Sequence, residues 1–386
     1  MPVATTAQIS KEGLFNVDDM PIRSFTRREL ARFGCTTGDV LVVKSSGSAN
    51  NIISGKAGLV EESTPKFVFS NFLLRLRVKK EAACPYFIFT LLRSHLTRQR
   101  VELMCSTTTY PNLKIGEYVS AWLPTPPLAE QKAISLYLRH ALGEIDAAIS
   151  SQERMIELLK ERRSAIITQA VTKGLDPKAK MKDSGVPWLG QVPAHWEIKK
   201  LAHIAGEAGV KNAGMVEDNL LSLSYGLIIR KDIDTNEGLL PASFEGYQIV
   251  EKGDTVLRLT DLQNDQKSLR AGFVSERGII TSAYCAVRPT AVSGRWLFNA
   301  LRAADLLKVF YSMGGGVRQS LDFESIKRIE IPIPSREEQL AIDAYLIAEE
   351  SRIRSAISSQ ERMIELLKER RSAVISQAVT GQIDVR

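Results

Sequence analysis

Residues 148–165 read AISSQERMIELLKERRSA, and residues 356–373 repeat the same eighteen letters 208 positions later. The likeness extends on both sides. Upstream, Pro124, Pro126, Glu130, Gln131, Ala133, Ile134 and Leu138 return as Pro332, Pro334, Glu338, Gln339, Ala341, Ile342 and Leu346. Downstream, Gln169, Ala170, Val171, Thr172 and Asp176 return as Gln377, Ala378, Val379, Thr380 and Asp384. Chance does not produce such a match, and the period is too long for a solenoid unit. The chain is a duplicated two-part module.

The repeated part reads as a helix. Ile134, Leu138, Ala141, Ile145, Ala148, Gln152, Met155, Leu159, Arg162 and Ile166 alternate four- and three-residue steps. Their copies are Ile342, Leu346, Glu349, Ile353, Ala356, Gln360, Met363, Leu367, Arg370 and Val374. This spacing predicts a heptad seam. Prolines at 124–127 and 332–334 block each helix upstream, and Gly174 and Pro177 end the first. A helix over 128–172 would be about 65 Å long at 1.5 Å per residue. One such helix cannot bury its seam alone. Two near-identical helices flanking a domain favour an antiparallel pair within one chain. A helix joining two separate chains is the alternative.

The remaining segments, 1–123 and 182–330, share little identity but one rhythm. Strand-like runs follow Gly38 and Gly253, aromatic-rich helical stretches cover 86–100 and 295–311, and a polar loop follows each. The expected class is α+β: two heads of one fold, separated by two long helices that pair as an antiparallel coiled coil. The expected organisation is a first head at 1–123, a first repeat helix at 124–181, a second head at 182–330 and a second repeat helix at 331–386.

Composition narrows the class. The chain has 386 residues, 44% hydrophobic and 25% charged, enough for more than one core. No apolar run approaches the ~18–20 residues that span a bilayer. The first ten residues lack the basic-then-apolar pattern of a secretory signal. Cys35, Cys84, Cys105 and Cys285 form no CxxC pair, which argues against a zinc site or a disulfide framework. A reduced, cytoplasmic protein is expected. The net charge of +7 is uneven, with +6 in residues 1–123 and zero in 182–330. An acidic partner such as nucleic acid therefore suits the first head on charge alone.

Motifs for catalysis are missing. His95, His140, His195 and His203 are scattered without metal-ligand spacing. The stretch from Gly47 to Lys56 is not a phosphate loop, because its spacing is wrong and Ala57 follows the lysine. No dinucleotide fingerprint and no Asn-Pro-Pro-Tyr element occurs.

With the repeat and the two heads in place, the chain resembles the specificity subunits of type I restriction–modification systems. The likeness covers the chain in the family's order of head, helix, head, helix. PTPPLAEQKAI (124–134) and its copy PIPSREEQLAI (332–342) are family-like. So are ERRSAIITQAVTKGLD (161–176) and its copy ERRSAVISQAVTGQID (369–384). KDSGVPWLGQVPAHWEIKKL (182–201) resembles the usual opening of a recognition domain. The resemblance implies a non-catalytic reader of double-stranded DNA, each head taking half of a split, asymmetric target. The helices would set the spacing and dock two methyltransferase subunits. No cofactor is expected in this chain. The methyltransferase would bind S-adenosylmethionine, and a restriction and translocation subunit would use ATP and Mg²⁺. Exposed helix faces could also let isolated chains self-associate. The chain departs from the pattern in one respect. Residues 1–12 align with 220–232, so the first head lacks some 35–40 residues corresponding to 182–220.

Base readout needs polar side chains carried on loops. In the first head the candidates are Lys44, Ser45, Ser46, Ser48, Asn50, Asn51 and Lys56, then Thr107, Thr108, Thr109 and Lys114. In the second they are Arg258, Thr260, Gln263, Asn264, Lys267 and Arg270, then Gly315, Gly316, Arg318 and Gln319. Solvated turns would have the same composition. Trp188 and Trp196 read as packing residues. A rival function is a structural adaptor, with protein-binding heads on a coiled-coil strut and no DNA readout. The neutral second head is its best argument.

Overall fold

The computed structural model describes residues 1–48, 51–106, 111–232, 243–265, 268–313 and 320–385. The chain divides into two compact units. One comprises Met1–Arg154 with Gln360–Arg386, the other Met155–Ser359. Both boundaries cut through the middle of a long helix.

The first long helix is Leu128–Lys173 and the second is Arg336–Val379. Gly174 adopts φ +71° immediately after the first, the left-handed backbone that closes a helix at low cost. In the first unit, Ile134, Leu138 and Leu142 share a core with Ile375, Ala378 and Val379, and Arg371 Nε donates to Asp146 Oδ1 (3.0 Å). In the second unit, Ile167, Ala170 and Val171 share a core with Ile342 and Leu346. The front of each helix thus meets the end of the other, and the pair runs antiparallel.

The seam differs from the heptad expectation. Ile134, Leu138, Ile145, Ile342, Leu346 and Ile353 are buried, but Met155 and Met363 are 45% and 47% exposed. Arg162 and Arg370 also face solvent, while Leu159, Leu367, Ile166 and Val374 are only half-buried. The buried isoleucines are Ile134, Ile145, Ile156 and Ile167 in one helix and Ile342, Ile353, Ile364 and Ile375 in the other. These are isoleucines every eleventh residue. Eleven residues over three turns is about 3.67 per turn, close to a straight helix, whereas a heptad stripe drifts ~20° per repeat. The stripe therefore passes from the Met155 position to Ile156, and from Ile166 to Ile167.

In the first head, strand β1 (Asp39–Val43) lies between β2 (Ala57–Leu59) and β3 (Leu73–Arg77), both antiparallel to it. Helix α1 (Pro85–Arg93) covers this sheet, with Phe89 and Leu92 packed on Val40, Val42 and Leu59. The second head adds an opening segment, with β4 (Glu197–Lys200) and β5 (Ala205–Glu207). It continues through β6 (Thr255–Leu257), β7 (Ala271–Phe273), β8 (Cys285–Pro289), helix α2 (Gly294–Leu306) and β9 (Glu330–Ile333). Its main sheet runs β5-β8-β6-β7, and β4 pairs antiparallel with β9.

The two heads repeat one fold. Buried Asp39, just inside β1, takes Arg77 Nε and Nη2 on its two oxygens (2.8 Å each) and the Thr36 amide. Buried Asp254 takes Arg288 Nε and Nη2 (2.9 and 2.7 Å) and the Glu251 amide. Trp196 is buried edge-on to Trp296 at 5.8 Å, and Trp188 is packed partly under the same core.

Candidate nucleic-acid interface

In the first head, the chain leaves β1 at Lys44. Its amide donates to Phe72 O (2.9 Å), and its carbonyl accepts from the Leu113 amide (2.8 Å). Ser45 bridges to Asn112, and Ser54 Oγ accepts from the Ser46 amide (3.1 Å) while donating to Pro111 O (2.7 Å). Gly47–Ser48 then pairs with Asn51–Ile52. Gly47 has φ +101°, and a Cβ there would lie 2.1 Å from Asn51 O, so glycine alone fits. A second hairpin, Cys105–Ser106 with Asn112–Leu113, stands beside the first. Ser45 and Ser54 of the first polar stretch thereby lie against Asn112 and Pro111.

The side chains there divide into exposed and committed groups. Ser48 and Asn51 are exposed. Lys114 is exposed and pairs with Glu117 (3.1 Å). Lys56 corrects the sequence reading. Its Nζ is turned inward onto Ile9 O, and burial pulls its pKa below the usual lysine value. It braces the N-terminal segment. Asn50, Thr107, Thr108 and Thr109 lie outside the described residues.

The second head repeats the arrangement. Leu259, after β6, accepts from the Leu321 amide (2.9 Å), as Lys44 does from Leu113. This bond sets Leu259 beside Leu321. Gln263 and Asn264 are exposed, Asn264 Nδ2 donating to Asp261 Oδ1 (2.7 Å). Thr260 is half-buried. Arg258 pairs with Asp265, which offsets its charge. Arg270 is a second correction. It is fully buried, its guanidinium donating to Arg258 O (3.0 Å), Thr260 O (2.8 Å), Asp261 O (3.2 Å), Asp265 O and Tyr311 Oη (2.9 Å). It shapes the loop from inside, because a cation saturated by five acceptors has no donor left for a ligand. Lys267, Gly315, Gly316, Arg318 and Gln319 lie outside the described residues.

Two residues escaped the sequence reading. Arg98 holds the first hairpin from beneath, donating to Ser54 O (2.8 Å) and Ile52 O (3.0 Å). Tyr225 is 90% exposed with φ 47° at the tip of the hairpin Leu221–Ser224 / Leu227–Arg230. Buried Arg302 holds that tip through Gly226 O (2.7 Å). The Tyr225-Gly226 dipeptide between two strand-like runs was a readable two-residue turn. Nothing local marked Arg98.

No family model matches the chain. It is 24% identical over 374 residues to the putative type I restriction enzyme MjaX specificity subunit of Methanocaldococcus jannaschii, covering 95% of this chain and 83% of that one. It is 22% identical over 365 residues to the MjaVIII specificity subunit of the same organism, covering 90% and 80%. Along most of its length the chain is similar to specificity subunits of type I restriction enzymes. In fold it matches a chain of a solved type I R-M system with a TM-score of 0.69 at 15% identity, over 98% of this chain and 90% of that one. Each head repeats one bond between the end of its strand and the residue that leads back to the helix, Lys44 with Leu113 and Leu259 with Leu321. Among the described residues no group of three or more His, Cys, Asp or Glu could hold a metal ion. No described helix is long and apolar enough to cross a membrane.

Proposed function

We propose that each head reads one half of a split duplex-DNA target through its paired loops, and that the antiparallel helices fix the distance between the halves. The observation that carries this reading is the repeated bond, Lys44 O to Leu113 N in one head and Leu259 O to Leu321 N in the other. It joins the same two loops in both heads while their sequences differ, as two readers of different half-sites require. Direct readout depends on such loop side chains, and phosphate contacts supply most of the salt-dependent affinity.

The chain itself contributes no catalysis in this reading. Two methyltransferase subunits dock on the repeated helix faces, whose identity suits two equal partners. They supply S-adenosylmethionine chemistry, and a restriction subunit supplies ATP- and Mg²⁺-dependent translocation. The assembly works on DNA in the cytoplasm. The adaptor reading is not favoured, since the relatives are named as specificity subunits along most of the chain.

The test is a map of methylated adenines in cells making the chain with its methyltransferase, against cells lacking only the chain. A split motif that disappears with the chain is expected. A motif indifferent to the chain, or none, would overturn the proposal.

A further inference from the structure

On one flank, each head lays a hairpin over the glycine of an edge strand. In the first head Ile9 and Phe15 close over Gly58 of β2, and in the second Leu223 and Ile228 close over Gly272 of β7. An arginine of the packing helix then holds the turn. Arg93 Nη2 donates to Lys11 O and Arg302 Nη2 to Gly226 O, 2.7 Å each. By strand register Lys56 corresponds to Arg270, each standing one residue before the edge strand. In the second head this corner is closed. Arg270 is saturated by five protein acceptors, and Arg302 also donates to Ala271 O. Leu269 fills the remaining space, since a Cβ at Gly226 would lie 2.8 Å from Leu269 Cβ.

In the first head the same corner is a cleft of about 410 Å³. The charged side chains that line it are Lys11, Lys56, Arg93 and Arg98, and no carboxylate is among the lining residues. Lys11 is exposed. Lys56 donates to Ile9 O, one acceptor for an ammonium that carries three donors. Arg93 is tied to Lys11 O, and Arg98 to Ser54 O and Ile52 O, all uncharged carbonyls. Burial lowers the Lys56 pKa most, Glu12 opposes this, and repulsion from Arg93 and Lys11 lowers it further. Burial also brings Arg93 down to about 10, with Arg371 acting in the same direction. Like charges around one cleft repel, and an anion seated among them removes the repulsion. Phosphate suits donors of this kind, point-charge ammoniums beside guanidinium forks.

We propose that this cleft binds phosphate, and that its occupant is a backbone phosphate of the duplex beside the first half-site. The identity of the occupant rests on the DNA reading proposed above. Continuity with the candidate interface carries it. Asn51 lines the cleft and also belongs to the hairpin Gly47–Ser48 / Asn51–Ile52, which Arg98 holds from beneath. A phosphate held there fixes that hairpin on the duplex without reading a base. The charge of the heads agrees, with +6 in residues 1–123 against zero in 182–330.

Two measurements on the full chain test this. The first uses inorganic phosphate and no DNA. At about 5 mM, too dilute to act as a general stabilising salt, phosphate should raise the unfolding midpoint by about 2 °C over chloride at equal ionic strength. Lys11→Gln and Lys56→Gln should each remove most of that rise. Lys11 is exposed, so its variant folds, and glutamine at position 56 keeps an N–H for Ile9 O. Lys66→Gln, at an exposed lysine outside the cleft, should keep the rise. No rise in the parent, or a rise that survives both cleft variants, overturns the site. The second measurement uses the chain with its methyltransferase subunits, on split-target and random duplexes at several salt concentrations. Lys11→Gln should weaken binding to both by about three- to tenfold and flatten the slope of log affinity on log salt by about one, with the methylated motif unchanged. An unchanged slope beside a phosphate-dependent rise would make free phosphate the occupant and overturn the DNA assignment. A parent complex without preference for the split target counts against the DNA reading alone, because phosphate binding and the slope on random duplexes decide the cleft without it.

Discussion

Gln131 and Gln339, 208 residues apart, make the same two hydrogen bonds in their separate units. Gln131 Oε1 accepts from the Cys84 amide (2.9 Å) and its Nε2 donates to Pro126 O (2.8 Å). Gln339 Oε1 accepts from the Ser293 amide (3.0 Å) and its Nε2 donates to Pro334 O (3.0 Å). Both amides are buried. Each glutamine ties the start of a long helix to the N-cap of the head's packing helix and to the proline element before it. The repeated motif is therefore a joint as well as a helix.

Either glutamine changed to alanine leaves a part-buried backbone amide and a proline carbonyl without this partner. Each variant should lose about 1–3 kcal/mol. The double variant should lose the sum, because the sites lie in different units and share no partner. Urea unfolding of the single and double variants checks this. A loss at one site only would show that the two joints are not equivalent.

The eleven-residue stripe separates neighbouring positions sharply. Ile156→Ala or Ile364→Ala should cost about 2–4 kcal/mol, as truncation of a buried aliphatic does. Met155→Ala or Met363→Ala should stay within about 0.5 kcal/mol, as exposed substitutions do. Thermal unfolding distinguishes them. A costly Met155→Ala beside a mild Ile156→Ala would restore the heptad seam.

Asp39 makes the first head acid-sensitive. Burial alone would raise its carboxyl, but the Arg77 fork and the Thr36 amide outweigh burial and hold it below the usual carboxylate range. A carboxyl lower in the folded state than its unfolded value of about 3.9 contributes stability that is full above that value. That contribution disappears as pH falls through the folded value. Asp39→Asn should therefore be less stable at neutral pH and lose less stability on acidification below about pH 4. Denaturant midpoints measured across that range decide. Parallel curves for the variant and the parent would refute it.

Arg270 and Gln263 should behave oppositely. Arg270→Ala strips several carbonyls of their donor inside the fold and should destabilise the second head by about 2–4 kcal/mol. Gln263→Ala is exposed and should leave stability within about 0.5 kcal/mol. Under the DNA reading it relaxes the second half-site while the first half of the motif is unchanged. Melting curves and a methylation map read the two effects separately.

The order of parts was legible in the sequence. An exact eighteen-residue copy, prolines before it and glycine after it are local facts, and local facts set where helices begin and end. The same copy implied two heads of one fold, even though the heads have diverged beyond visible identity. Which loops would be polar was also legible, because loop composition is local.

Tertiary structure alone decided three things. It placed the seam on Ile134, Ile145, Ile156 and Ile167, since burial follows the true pitch of the helix and two repeats of a sequence fit a heptad almost as well. It turned Lys56 and Arg270 inward, because whether a cation meets solvent or a carbonyl depends on neighbours far away in the chain, such as Ile9 and Tyr311. It also left Trp122 90% exposed where, among the described residues, no strand pairs. A tryptophan in sequence carries no sign of whether a strand will lie across it. That depends on which strands pair nearby, as Glu197–Lys200 does with Glu330–Ile333 in the second head.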